Sequence, residues 1–499
     1  MFPSMLLVLF LLVHPSDSID HEVTSCRPKV KNPMPELNHL FGIHPVETIH
    51  PREDQLREMG STAAQLCKVL RDLAEQKKKE ESSNKEWGWW KDVEASLMKS
   101  APFATICNAN EDFESFKQLS KHYLATELVM GFSNHVLPKD LSKYPILANV
   151  REFDAFFRLV ESVACRHVYS PEHAGFEWDV LSMNITEQFD CLETVLGDLT
   201  PPVFGGGGYG LKVSKDRVLF WRQVSAINIA RQVKALLDKH PDMKGNGNVC
   251  EIGGGAGYLA HYSLKMGVPK YLIVDVTFAL MTQFFVLFPE HGSDDVLLMM
   301  DNTTRPFERR VTLLHTHLFP WFDFNGCDIV VNMDSLPEMP ASVAETYMMK
   351  IKKSPTVRFF LSENQESRVS TDITAKFKKN VPFSRQNDVR AIAIKHGLVS
   401  VDRRLAWLRM GYVEELFVVN KPVVVNKPVV SVTPSFETVQ SWFSSTGVYT
   451  FPIIQLMILF AVFMFVRQRF LRKVGTTRHQ VDGSRFTVFR EYVHDKNRR

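Results

Sequence analysis

Apolar positions along the 499 residues fall into four regimes, two continuous and two periodic. Residues 5–13 are an unbroken apolar run near one end, and 448–466 are a mostly apolar, uncharged run near the other. Between them the spacing is first helical. Leu66, Val69, Leu70 and Leu73 form one stripe, and Phe153, Phe156, Phe157, Val160 and Val163 form another. Stripes at this spacing predict amphipathic helices whose apolar side is core, so residues 19–203 read as a mainly helical region. The pattern then changes. Strands are expected at 249–252, 271–274, 329–332, 357–361 and 415–419, with helices among them at 258–266, 278–287 and 341–352. Alternation of that kind predicts a parallel sheet covered on both faces, a doubly wound α/β domain over residues 204–419. The glycine-rich stretch from Gly205 to Gly210 marks the change and reads as a boundary loop, because neither helix nor strand holds so many glycines well.

The two continuous runs differ in length and flanks. Residues 5–13 are too few to cross a bilayer, and small residues Ser16 and Ser18 follow them, so residues 1–18 are expected to be a cleaved signal peptide. Residues 448–466 carry no charge and reach across a hydrocarbon core of roughly 30 Å as a helix. Arg467, Arg469, Arg472 and Lys473 follow at once. The expectation is a transmembrane helix at 447–466 and a basic cytoplasmic tail at 467–499, giving a type I protein with its main body in the Golgi or ER lumen or outside the cell. The tail holds ten basic and three acidic residues while the whole chain is +3, so the body is slightly acidic and has no charge signature of a nucleic-acid binder. The tail also suits contact with anionic lipid.

Residues 418–429 repeat Val-Val-Asn-Lys-Pro-Val, which favours extended backbone and predicts a stalk at 420–446. Sequons at Asn184 and Asn302, and seven cysteines all placed before the apolar run, agree with a secretory route. The odd count leaves one cysteine over. Cys250, inside a predicted buried strand, is the expected free one.

The chemistry sits at the end of the first strand, in Glu251-Ile252-Gly253-Gly254-Gly255-Ala256-Gly257-Tyr258. Glycines at a strand-to-helix turn let the backbone approach a ligand closely. A dinucleotide fingerprint wants a small residue where Tyr258 stands, which argues against a nicotinamide-dependent oxidoreductase. Asp275 ends the next strand, placed to accept hydrogen bonds from ribose hydroxyls. The third strand is either 296–300, ending in Asp301, or 311–314, ending in His315; a glycan on Asn302 would favour the second. The fourth leads into Asn332-Met333-Asp334-Ser335-Leu336-Pro337-Glu338-Met339.

Taken together, E-I-G-G-G-x-G, Y-L-I-V-D and N-M-x-S-x-x-E-M resemble the sugar O-methyltransferase family of class I S-adenosylmethionine-dependent enzymes, over roughly residues 215–420. The resemblance implies a Rossmann-like methyltransferase domain with S-adenosylmethionine as cofactor, and no metal-ligating residues are singled out. It places Glu251, Gly253, Gly255, Gly257 and Asp275 around the cofactor, and Asp334 and Glu338 as bases acting on a glycan hydroxyl. The family often has His at the position of Asp334. His315, His317 and His261 stand behind the two acids as candidates, although a lone His is more often structural, and Glu363 is placed either to touch the acceptor or to cap a helix. A membrane-anchored adaptor with a decayed site is the alternative.

Overall fold

The computed structural model describes residues 43–45, 51–80, 96–129, 145–165, 185–243, 246–299, 305–366 and 387–419, apart from 203, 205–208 and 410. The expected signal peptide, both sequon asparagines, Asp301, the stalk, the membrane span and the tail lie outside these residues. Among the described residues no helix is long and apolar enough to cross a membrane.

Eleven strands are described, in two sheets. β1 (Ile43–Pro45), β2 (Tyr209–Ser214) and β3 (Arg217–Leu219) form a small antiparallel sheet. Tyr209 and Gly210, expected in a loop, belong to β2. Gly210 is needed there because a Cβ would sit 2.4 Å from the Leu219 carbonyl oxygen. A glycine inside a strand marks such a close backbone approach.

The large sheet contains β4 (Val249–Ile252), β5 (Tyr271–Asp275), β6 (Val296–Met299), β7 (Val311–His315), β8 (Ile329–Met333), β9 (Phe359–Gln365), β10 (Val399–Leu405) and β11 (Tyr412–Val418). Their order across the sheet is β10-β11-β9-β8-β4-β5-β7-β6. The six strands β4 to β9 pair in parallel, and β11 runs antiparallel between β9 and β10. This is a doubly wound, Rossmann-like α/β sheet. It departs from the dinucleotide-binding order 3-2-1-4-5-6 in its antiparallel β11 and in an extra edge strand, β6. Both candidates for the third strand exist. β7 takes the slot beside β5, with His315 paired to Asp275, and β6 lies outside it.

The predicted helical region supplies α1 (Glu53–Glu80), α2 (Ala101–Cys107), α3 (Phe113–Ser120), α4 (Pro145–Ser162) and α5 (Ile185–Leu196). The sheet is wound by α6 (Trp221–Lys239), α7 (Tyr258–Lys265), α8 (Thr277–Asp295), α9 (Ala341–Lys353) and α10 (Val389–Lys395). Local chemistry sets several helix starts. Ser100, Asp112 and Asp388 each accept a backbone N–H of the first turn of α2, α3 and α10.

One apolar cluster runs from Leu56 in α1 to Val418 in β11, so the helical region packs on the α/β sheet rather than standing apart. Its seam is aromatic. Phe116, Tyr123 and Phe204 surround Phe285 of α8, and the Tyr123 hydroxyl bonds Thr282 at 2.9 Å. The α4 stripe is core as expected, with Phe153, Phe156, Phe157 and Val160 buried. A second cluster fills the opposite face, around Phe319, Phe324, Tyr347 and Phe360.

Three disulfides join Cys67 to Cys107, Cys165 to Cys191 and Cys250 to Cys327. Cys250 is therefore not the free cysteine. Burial in β4 brings it beside the residue that leads into β8, the neighbouring strand, with Cα atoms 5.8 Å apart. A bridge across 77 residues of chain should stabilise by about 4 kcal/mol through restriction of the unfolded chain. The double variant Cys250→Ala/Cys327→Ala should lose that amount in a denaturant titration, and non-reducing peptide mapping of the parent should recover the three pairs.

Candidate functional site

The carboxyl ends of β4, β5, β8 and β9 meet at the glycine turn. Gly253, Gly255 and Gly257 have φ of +69°, +56° and +81°, a region other residues enter only at a cost. Space forbids side chains as well. A Cβ on Gly253 would lie 2.2 Å from Ser335 Oγ, and one on Gly254 would lie 2.7 Å from Ile273 Cγ2. Gly253, Gly254 and Gly255 stay partly exposed, so the backbone of the bend is open to a ligand.

Two braces hold the turn. From β5, Asp275 Oδ2 accepts the Gly255 N–H at 3.1 Å and the Gln283 amide at 2.7 Å, while Oδ1 accepts the Val276 N–H. Gln283, fully buried on α8, also donates to the Gly255 carbonyl at 3.1 Å. From β8, the Asn332 amide and the Ser335 hydroxyl both donate to the Ile252 carbonyl, at 2.7 and 2.9 Å. The N-M-x-S stretch is thus the buttress of the glycine turn.

Asp275 points into the bend. Glu251 does not face it. Its carboxyl lies beneath Gly254, 2% exposed, and accepts the Tyr271 hydroxyl at 3.0 Å. Burial, with the nearby Asp275 charge adding to it, pushes Glu251 up to about 8, so it is neutral near pH 7. It supports the turn from below.

Asp334 follows β8 with φ +70°. Its N–H donates to the Glu363 carbonyl at 3.0 Å and to Asn364 Oδ1 at 3.1 Å. Its carboxylate is paired with Arg409 at 2.8 Å. The same guanidinium reaches Glu363 at 3.2 Å and lies 3.6 Å from the Tyr412 ring centroid. Glu363 is no helix cap; it lies inside β9, 1% exposed. Burial raises its carboxyl to about 7 against the pull of Arg409. Glu338 sits on the short 3-10 turn Leu336–Glu338, partly exposed, and Asn387 fastens that turn by donating to the Leu336 and Met339 carbonyls.

The histidines divide. His315 is buried at the tip of β7, bonded to Thr277 at 2.9 Å and to His317 at 2.5 Å. His261 is structural. It bonds the Thr200 carbonyl at 2.9 Å, and burial drops it to about 3. Among the described residues no group of His, Cys, Asp and Glu is arranged to hold a metal ion.

Arg409, Tyr412, Trp221, Gln283 and Ser335 were not singled out by spacing. Arg409 left one signal, a cation set among apolar residues in Trp407-Leu408-Arg409-Met410 just before a strand.

The chain matches no protein-family model, and no curated protein matches it in sequence. Solved structures with some likeness include a geranyl diphosphate C-methyltransferase from Streptomyces coelicolor bound to S-adenosyl-L-homocysteine, at 12% identity over 40% of this chain and 84% of that one, TM-score 0.28. Others are the mitomycin 7-O-methyltransferase (11%, 56% and 98%, 0.27) and an O-methyltransferase family protein from Burkholderia thailandensis (14%, 40% and 60%, 0.26). At such TM-scores these likenesses add no weight to the strand order and site geometry.

Two outcomes follow. Gly253→Ala should misplace the 332–339 loop and abolish any ligand binding at the turn, read by calorimetry. For Glu251 the sign is set by a folded value near 8 against an ordinary 4.5: its contribution is complete below about pH 4.5 and is lost as pH rises toward 8. Glu251→Gln keeps a partner for Tyr271 without that proton, so melting temperatures measured from pH 5 to 9 should fall less steeply on the alkaline side than in the parent.

Proposed function

We propose that the chain is an S-adenosylmethionine-dependent O-methyltransferase acting on a sugar hydroxyl of a glycoconjugate in the secretory pathway. The observation that carries this reading is the partly exposed glycine turn with Asp275 aimed into it, one residue from which, across the Gly253–Ser335 contact, stands a partly exposed carboxylate. The residues fit the cofactor at Gly253 to Gly255 and at Asp275. They do not fit it at Glu251, which is buried and neutral; its role is to support the turn.

The sulfonium methyl supplies the electrophile when the cofactor is bound. What remains for the protein is to align an acceptor and to take its proton. Asp334 is the first candidate for that proton, because its carboxyl is held in one orientation by Arg409 and it stands next to Ser335. Glu338 on the following turn is the second. The disulfides support an oxidising compartment, and the sequons and the uncharged run at 448–466 support a lumenal domain tethered as a type I membrane protein. Glycan acceptors are encountered there.

A second reading, a non-catalytic membrane-anchored adaptor, draws on one fact: the Asp334 carboxyl is already engaged by Arg409 at 2.8 Å, which leaves less of it to meet an acceptor. Calorimetry of the full chain with S-adenosylmethionine and mass spectrometry of glycans for a 14-dalton increment separate the two. The enzymatic reading expects micromolar binding and methylated glycan, with Asp334→Asn cutting transfer by 10²-fold or more at unchanged cofactor affinity. Binding without transfer in the parent chain favours the adaptor, and absence of binding removes the enzymatic reading.

A further inference from the structure

Arg409 reaches the site from the turn between β10 and β11, and two aromatic rings lie against its guanidinium. Tyr412 lies 3.6 Å away by centroid and Trp221, at the start of α6, lies 4.9 Å away. A planar guanidinium that stacks on rings and also bridges two carboxylates has one orientation available. The two elements that carry these contacts are both held by the same helix. On α4, Arg158 donates to the Trp407 carbonyl at 2.9 Å and lies 5.1 Å over the Trp407 ring. Six residues earlier, the buried Glu152 carboxylate accepts the Trp221 N–H and so caps α6. Asp154, one turn before Arg158 on the same helix, pairs with it at 2.8 Å and aims its guanidinium.

We infer that α4 is a clamp on the acceptor wall, and that Arg409 is the positioning residue through which the clamp presents the Asp334 carboxylate. Asp334 needs such support. Its left-handed backbone is one that residues with a side chain rarely adopt, and it persists only while its neighbours over-determine it. The strand ladder fixes its N–H through Glu363 and Asn364, and Arg409 fixes its side chain. Releasing α4 from Trp407 therefore loosens the far end of this chain of contacts without touching Asp334. The helical region would then act on the chemistry of the α/β sheet from more than one side chain away.

The clamp itself is a matter of geometry, but its meaning for catalysis rests on the acceptor-side reading of Asp334. The test uses the full chain and three variants: Arg158→Ala, Arg409→Lys, and Arg409→Gln/Glu363→Gln, the last removing a buried cation together with one of its acids so that the fold survives. Amide hydrogen exchange is followed in peptides 332–339, 406–412 and 253–262. Arg158→Ala and the double variant should each speed exchange of 332–339 and 406–412 by roughly tenfold, with 253–262 unchanged. Transfer from labelled S-adenosylmethionine to a panel of p-nitrophenyl glycosides should show kcat reduced 10- to 100-fold with KM for S-adenosylmethionine within about twofold. Arg409→Lys keeps the charge but cannot bridge both acids, so it should hold the parent melting temperature and lose kcat like the double variant. Parent-like exchange of 332–339 in Arg158→Ala overturns the clamp, whatever the activity. Faster exchange in a chain whose parent neither binds S-adenosylmethionine nor transfers methyl leaves the clamp standing and removes the functional reading.

Discussion

A bend of left-handed glycines keeps its shape only while something denies it the many other shapes glycine allows. Here that denial comes from both neighbouring strands at once. Asp275 and Gln283 tie Gly255 down from the β5 side, and Asn332 with Ser335 hold the Ile252 carbonyl from the β8 side. Ser335 fills the volume that a side chain on Gly253 would need, so the bend and the loop after β8 are complementary surfaces of one joint. Each is in place because the other is. The candidate cofactor side and the candidate acceptor side meet at this joint through Ser335, while the Asp334 side chain beside it is set separately by Arg409.

Burial, rather than charge, decides what several acids do. Glu251 and Glu363 both stand at strand ends that face the ligand edge, yet each is nearly inaccessible and held close to neutrality. Glu414 beside Glu363 is satisfied instead by Asn228, Gln232 and Arg404. Of the described site acids, Asp334 and Glu338 keep partial exposure, while Asp275, although buried, turns its carboxyl onto the glycine bend. The acids therefore separate into supports beneath the site and groups that can meet a ligand, a division that no spacing rule contains.

The parallel strands were legible because they are buried on both faces and so carry unbroken apolar runs; β4, β5 and β8 agree with expectation to within a residue. The edge strand β10 was not, since Val-Ser-Val-Asp-Arg-Arg-Leu is exposed almost throughout and has no face to pattern. The glycine turn and Asp275 were readable because backbone geometry dictates them. Arg409 was not, because its importance comes from contacts with Trp221 and Tyr412 made by different elements. The same reason defeated the expectation for Cys250: a cysteine in a buried strand looks isolated until the neighbouring strand, 77 residues later, is known.

That cystine has a bearing on biogenesis. Both sulfurs are wholly enclosed, between the sheet and the apolar cluster on its face, so no oxidoreductase can reach them once the layers have closed. The bond is best laid down while β4 and β8 are still accessible to an oxidant, before the layers close over it. Synthesis in a reducing cytosol would bury two thiols at the centre of the sheet and leave no later opportunity for repair.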